Sequence, residues 1–197
     1  MRAHSRTIIA HHVILHSYGH WLPNDPRGSG SDGVRKESLS DLGEVHQGRK
    51  RVQPSRDELR KFYRDAEPRL EHELLWFDAA KRQALVDACE KLVRMRPYTA
   101  WACAVMTNHV HLCVRRHRNS GEAIWDDFAK ITREALFAFD DVPHEHRVWS
   151  NRPYAVFLYT PDDVRRCVKY IEDNPAKSSL PAQSWPFVAP YDGWPYR

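Results

Sequence analysis

Two apolar segments joined by a short turn restrict the folds open to this chain more than any other feature of its sequence. Tyr98–Met106 and Val110–Arg115 are rich in apolar and β-branched residues, and the turn-forming pair Thr107-Asn108 lies between them. Segments of this length and composition on either side of a turn predict two paired strands. The chain is therefore expected to contain an antiparallel sheet.

The elements around this hairpin indicate the fold class. Further strands are predicted over Thr7–His16 and Tyr154–Leu158, and helices are predicted from Asp78 to Pro97, after Ser120-Gly121, and from Thr160 to Asn174-Pro175. The last helix is expected to stop there because the residue before a proline avoids the α region. The order β, insertion, α, β, β, α, β, α predicts an α+β domain with helices on one face of an antiparallel sheet. The other face would then be available for a functional site.

Residues 23–73 differ in composition from the rest of the chain. Turn-forming residues follow Pro23, charged residues follow Arg49, and apolar side chains are few. This composition predicts a charged insertion or extended loop with one short helix after Ser55, either a solvated surface arm or an arm that contacts DNA. Residues 179–197 are expected to form an irregular tail, and residues 1–197 together a single domain.

The composition excludes several classes of protein. Apolar residues make up 42% of the 197 residues, enough for a hydrophobic core, so wholesale disorder is excluded. The four cysteines include no C-x-x-C pair, and no apolar run is long enough to cross a membrane. We therefore expect a cytoplasmic protein with no membrane association. The net charge of +4 permits a polyanionic partner without requiring one.

The strand after Asn108 carries the first candidate site. Side chains alternate between the two faces of a strand, so His109 and His111 share one face while Val110 and Leu112 point into the core. Two imidazoles at this spacing can share a metal ion, although the same pattern also occurs in strands that bind no metal.

Two other groups of histidines are weaker candidates. His144 and His146 flank Glu145 in a polar loop with no strand to fix their positions. His11 and His12 are adjacent, and they therefore point to opposite faces of their strand.

The helix after Thr160 supplies the second candidate. Its buried stripe is predicted to consist of Val164, Cys167, Val168 and Ile171. Tyr170 and Asn174 lie one turn apart at the border of that stripe and face the same way. A tyrosine in this position can simply pack its ring, and asparagine commonly ends a helix, so this pair alone does not indicate a function.

The two candidates in combination resemble a known family. The motif M-x-N-H-V-H-L at Met106–Leu112, followed by Y-I-x-x-N-P at Tyr170–Pro175, resembles the HUH single-tyrosine transposases of the IS200 type. The REP-associated tyrosine transposases are the most similar branch. The resemblance covers Thr7 to Ser178 without the insertion. It implies a ferredoxin-like domain, akin to an RNA-recognition fold, with the two histidines on a central strand and a later helix that brings the tyrosine against them.

The resemblance also implies roles for individual residues. His109 and His111 would hold a divalent metal, Mg²⁺ or Mn²⁺, with Asn174 as the third ligand. Tyr170 would attack the phosphorus of single-stranded or hairpin DNA and form a 5′-phosphotyrosine. Phosphate contacts are expected from four basic residues: Arg115, Arg116, Arg166 and Lys169. Two copies of the chain could also pair as a homodimer.

Two other functions compete with strand cleavage. A domesticated or inactive relative would bind hairpin nucleic acid with the same sheet but would not cut it. An unrelated metal-dependent hydrolase is the third alternative, and the lack of a carboxylate-rich cluster in the sequence weighs against it. The retention of all four residues, His109, His111, Tyr170 and Asn174, favours the active transposase.

Overall fold

The structure of the chain is a computed structural model that describes residues 7–31, 33–34, 36–150 and 154–195. The last two residues of the predicted tail, Tyr196 and Arg197, lie outside the described residues, as do Asp32 and Arg35 of the predicted insertion. The chain divides into two compact units: Ser17–Leu75 forms one, and the segments before and after it together form the other. In the described part of the chain, no helix has both the length and the apolar composition needed to cross a bilayer.

The larger unit is built on an antiparallel sheet. In the described part of the chain, this sheet contains four strands: β1 (Ala10–His16), β2 (Ala100–Val105), β3 (His109–Arg115) and β4 (Tyr154–Leu158). Their order is β2-β3-β1-β4, and every neighbouring pair is antiparallel. The predicted α+β class is confirmed, and β3, which carries the two histidines of the first motif, is a central strand.

Two helices cover one face of this sheet. They are α2 (Ala79–Met95) and α3 (Gly121–Leu136), which pack against each other. Asp78 and Ser120 cap them by accepting hydrogen bonds from backbone N–H groups of the first turn. The helix predicted after Ser120-Gly121 is α3, which begins at Gly121 and ends at Leu136.

The last helix, α4 (Pro161–Lys177), packs against β2 and β3. Its buried Val164, Cys167 and Ile171 lie in one hydrophobic cluster with strand residues that include Ala102 and Cys113. Alternation along β3 places Cys113 on the same face as His109 and His111, opposite the face that carries Val110 and Leu112. The helix therefore covers part of the face that carries the histidine pair.

The predicted end of this helix is wrong. It continues past Asn174 and contains Pro175 in its last turn. Both residues are buried, and Pro175 lies only two residues from the helix end. The burial of this turn offsets the local preference that the proline rule describes, because a proline so close to the end removes only one intrahelical hydrogen bond.

The unit Ser17–Leu75 contains α1 (Arg56–Ala66) and two short 3₁₀ helices, Glu37–Leu42 and Glu67–Arg69. The predicted helix after Ser55 is confirmed, and it begins with a capping box between Ser55 and Glu58. The sequence predicted a charged insertion or extended loop here, whereas the segment has a small core of its own, formed by Leu22, Leu39, Phe62 and Ala66. A buried ion pair between Asp25 and Arg27 adds to this core.

Candidate functional site

The two histidines of β3 lie side by side. The ring centroids of His109 and His111 are 4.7 Å apart, and their planes are perpendicular. His111 is buried, whereas His109 is half-buried. The Nδ1 atom of His109 lies 2.7 Å from the Oδ1 atom of Asn108. Because this oxygen can only accept, the Nδ1 atom carries the proton, and the Nε2 atom is left in the form that can bind a metal.

A third and a fourth imidazole extend this pair on the neighbouring strand. β1 pairs with β3 so that His12 is opposite Cys113 and His16 is opposite His109. The Nε2 atom of His12 is 3.0 Å from the Nδ1 atom of His111, and the ring centroids of His16 and His109 are 5.8 Å apart. No role is predicted for His12 from the sequence, because alternation shows which face of the strand carries it but not which residue of the neighbouring strand lies opposite it.

The protonation state of His111 suits metal binding. Burial, and then the neighbouring imidazoles of His109, His12 and His16, lower the pKa of His111 well below its usual value. The ring is therefore neutral near pH 7, and a neutral imidazole is the form that coordinates a metal ion.

Tyr170 of α4 lies against this cluster. The centroid of its ring is 5.6 Å from that of His111 and 5.9 Å from that of His12, and both contacts are edge-to-face. The residue is 46% exposed, so part of its side chain is in contact with solvent. The Nζ atom of Lys177, two helical turns later, is 5.1 Å from the ring centroid. Lys177 was not among the predicted site residues, although the spacing of seven in one helix places it on the same face.

Asn174 lies one turn after Tyr170, and it is buried, with 9% of its surface exposed. Its Nδ2 atom is buried and has no hydrogen-bond partner among the described residues. The described residues also contain no group of three or more His, Cys, Asp or Glu side chains that could hold a metal ion. The predicted ligand set consists of two imidazoles and one asparagine amide, and asparagine is not among those four residue types.

Two thiols lie beside the imidazoles. Cys167 of α4 lies beside Cys113 of β3 and His12 of β1 and interacts with both. The interaction with Cys113, and then that with His12, lowers the pKa of Cys167, whereas the interaction between the two thiols and burial raise the pKa of Cys113. Both cysteines are buried and free. The thiols therefore connect α4 to both central strands at the level of His12.

The four basic residues predicted to contact phosphate differ in their surroundings. Arg166 and Lys169 of α4 form ion pairs with Asp163 and Asp173. The guanidinium of Arg115 lies 4.1 Å from the ring centroid of Trp194. Arg115 is the last residue of β3 and Arg116 follows it, about 20 Å from His109 at the usual rise of a strand, whereas His12 lies opposite Cys113, two residues before Arg115. The two arginines are thus far from His109 but closer to His12, while Arg166 and Lys169 share the helix of Tyr170.

Of the weaker histidine candidates, His12 belongs to the cluster described above, whereas His144 and His11 lie outside it. His144 and Glu145 are exposed, and His144 packs its ring against Phe137. His11 points to the face of α3, as the alternation predicted, and its Nδ1 atom lies 2.8 Å from where a side chain on Gly121 would begin.

Comparison with known proteins finds similarity at the level of solved structures. No protein-family model matches the sequence. No characterised protein matches it at the sequence level either. Among solved structures, the chain is similar to a REP-associated tyrosine transposase bound to a REP hairpin, with 16% sequence identity and a TM-score of 0.48. The match covers 95% of this chain and 81% of that one. The solved protein is of the branch that the two sequence motifs resemble, and at this degree of similarity the function of this chain has to be inferred from its own site.

Proposed function

We propose that the chain is a single-strand DNA endonuclease and strand transferase, a transposase that uses Tyr170 as its nucleophile and depends on a divalent metal. The observation that carries the proposal is the contact of the half-exposed Tyr170 ring with His111 and His12. In this contact a partly exposed phenol, which can act as a covalent nucleophile, lies beside imidazoles that can bind a metal ion.

The residues present fit a divalent metal. Asn108 fixes the proton of His109 on Nδ1, and the lowered pKa of His111 keeps that ring neutral. The Nδ2 atom of the buried Asn174 amide has no hydrogen-bond partner among the described residues, and a half-turn of the amide would present its oxygen at the same position. His109, His111 and Asn174 would therefore hold the ion. When bound, Mg²⁺ or Mn²⁺ stabilises negative charge on the non-bridging phosphate oxygens, and mixed nitrogen and oxygen ligands favour Mn²⁺.

The chemical step at Tyr170 is a transesterification. The phenol oxygen attacks the phosphorus, a bond from Tyr170 to phosphorus forms, and the bond from phosphorus to the 3′ oxygen breaks. The phenol proton leaves to solvent, and the departing 3′ oxygen takes up a proton. The Lys177 ammonium near the ring stabilises the negative charge that develops on the phenol oxygen. Because the number of phosphate ester bonds is unchanged, a DNA 3′-hydroxyl can reverse the step and join strands without ATP.

The edge of the sheet supports a single-stranded or hairpin substrate. β4 is an edge strand, and its Tyr154, Val156 and Phe157 are between 40% and 46% exposed. Exposed aromatic side chains on an edge strand are unusual in a protein with no partner, and they offer surfaces on which unpaired bases stack. Arg116 is exposed and makes no ion pair with a described residue, so it is available for phosphate contacts.

Covalent trapping tests the proposal. The protein is incubated with Mn²⁺ and a 3′-labelled hairpin with single-stranded flanks, and the products are separated in SDS. The wild-type protein should retain the label, because the DNA downstream of the cut stays attached through its 5′ phosphate. Tyr170→Phe should abolish the adduct, and Asn174→Ala should slow its formation without preventing it.

Tyr154→Phe is the matched control. Tyr154 is 44% exposed, close to the value for Tyr170, and its ring lies 6.5 Å from that of His16. This variant should form the adduct at the wild-type rate. An adduct that persists in Tyr170→Phe and disappears in Tyr154→Phe would assign the nucleophile to Tyr154. Tight hairpin binding with no adduct from the wild type would favour the inactive, DNA-binding relative.

A further inference from the structure

The imidazole of His12 contacts that of His111, the buried histidine of β3. It lies on β1 opposite Cys113, and its ring is tilted by 33° against that of His111, with the centroids 5.1 Å apart. The Nε2 atom of His12 and the Nδ1 atom of His111 are separated by 3.0 Å, which is a normal hydrogen-bond length. This bond joins two rings on neighbouring central strands of the sheet.

The direction of this bond determines what His111 can do. A neutral imidazole has one N–H group and one lone pair, so one ring must donate and the other must accept. If the Nδ1–H of His111 donates, the Nε2 atom of His111 keeps its lone pair and can bind a metal. If His12 donates instead, the proton of His111 lies on Nε2, and this atom cannot act as a ligand.

The neighbouring histidine shows the same arrangement with its direction already determined. The Nδ1 atom of His109 faces the Oδ1 atom of Asn108, which can only accept, so His109 donates. Both histidines of the motif therefore have an acceptor at Nδ1 when His12 accepts. Hydrogen bonds of this kind to the second ring nitrogen commonly fix the tautomer of a metal-binding imidazole.

Contacts from α4 hold His12 in place. The ring of Tyr170 packs edge-to-face against the imidazole with the centroids 5.9 Å apart, and Cys167 lies beside the same imidazole. His12 therefore contacts the proposed ligand and the proposed nucleophile at once.

We infer that His12 is a positioning residue that accepts the Nδ1–H of His111 and so presents the Nε2 atom of His111 to the metal. This inference deepens the proposed function and rests on its metal site. Two variants separate the hydrogen bond from the packing. His12→Phe keeps a ring of similar size and removes the acceptor, whereas His12→Gln places an amide oxygen close to the former Nε2 position.

Nuclear magnetic resonance of metal-free protein labelled with ¹⁵N at histidine gives the first measurement. Long-range couplings at pH 7.5 should show His111 protonated on Nδ1 in the wild type and in His12→Gln, and protonated on Nε2 or on a mixture of both in His12→Phe. Protonation of His111 on Nε2 in the wild type would overturn the inference.

Calorimetric titration with Mn²⁺ gives the second measurement. The affinity should fall by about 10- to 100-fold in His12→Phe and recover most of that loss in His12→Gln. Equal affinities in the wild type and His12→Phe would overturn the positioning role and leave the metal site standing. No Mn²⁺ binding by the wild type would overturn the metal site of the proposed function and the role of His12 with it. Because neither measurement uses DNA, both are independent of the adduct assay on Tyr170.

Discussion

Replacing Asn174 by leucine should make the metal-free protein more stable while it removes metal binding. Asn174 is buried in the last turn of α4, and its Nδ2 atom has no hydrogen-bond partner among the described residues. A buried donor without a partner loses its bonds to water and gains nothing in return. Leucine has a similar shape and no polar atom, so the substitution removes this penalty.

The expected magnitude follows from this environment. An unsatisfied buried polar group costs about 1–3 kcal/mol, and leucine is a better helix former than asparagine by up to about 0.5 kcal/mol. The larger side chain of leucine will offset part of the gain through imperfect packing. The free energy of unfolding of Asn174→Leu should therefore rise by about 1–2 kcal/mol over the wild type.

Urea denaturation in the presence of a chelator measures this difference, and calorimetry with Mn²⁺ measures the loss of binding. Asn24→Leu is the comparison variant, because Asn24 is also buried and its Oδ1 atom has no hydrogen-bond partner among the described residues, but its Nδ2 atom donates to the carbonyl oxygen of Leu39 at 2.6 Å. That variant should gain less stability than Asn174→Leu or none, because the penalty it removes is offset by the carbonyl it leaves unpaired. If Asn174→Leu were destabilised and still bound Mn²⁺ like the wild type, Asn174 would be a structural residue and not a ligand.

Three further predictions concern stability and DNA binding. Gly121→Ala should lower the free energy of unfolding, measured by urea denaturation, by about 1–3 kcal/mol, because the new Cβ atom would lie 2.8 Å from the Nδ1 atom of His11. Gly33→Ala should leave the free energy of unfolding unchanged, because its new Cβ atom would meet no described atom within 4 Å. Burial lowers the pKa of His20 from 6.5 to about 4, so the unfolded chain takes up a proton first as the pH falls below 6.5. Stability should therefore fall by about 2 kcal/mol between pH 7.5 and pH 5, and a His20→Leu variant with an equally steep loss would contradict this account. Arg116→Ala should weaken hairpin binding and reduce the salt dependence by about one phosphate contact in a titration at several salt concentrations, whereas an unchanged slope would show that Arg116 makes no such contact.

The sheet could be predicted from the sequence because its signals are local. The bounds of β4 agree with the prediction, and β3 begins only one residue before the predicted strand. The predicted end of α4 was wrong because the rule for the residue before proline uses only the local sequence. The burial of Asn174 and Pro175 is a tertiary effect that this rule does not include.

The compact unit Ser17–Leu75 could not be predicted in the same way. Composition indicated few apolar anchors, and this is correct for the segment as a whole. The apolar side chains that form its core come from distant positions such as Leu22 and Phe62. In addition, the hydroxyl group of Tyr63 donates a hydrogen bond to the buried carboxylate of Asp25, 38 residues earlier in the chain. No local pattern indicates contacts of this range.

The candidate site requires that His109 and His111 lie together and that Tyr170 lies against them, and these two placements have different causes. The alternation along β3 places His109 and His111 together, and this relation could be predicted from the sequence alone. The position of Tyr170 was expected only from the family resemblance, because no periodicity shows which face of the sheet a helix will cover. The roles of the four proposed residues stay predictions that the experiments above address, and the pairing of two chains as a homodimer stays a prediction as well.

The structure gives a physical reason for the position of α4. The strand residues that face this helix are mostly small, since Ala10, Ala102, Ala104 and Cys113 all lie in its hydrophobic cluster. Small side chains on a sheet let a helix approach closely, and in this way Cys167 comes to lie beside both Cys113 and His12. One turn later on the same helix, the same close approach brings the ring of Tyr170 to the imidazoles. The proposed nucleophile is therefore placed by small residues that carry no chemistry of their own, which explains why the motif of the tyrosine helix alone does not indicate the site.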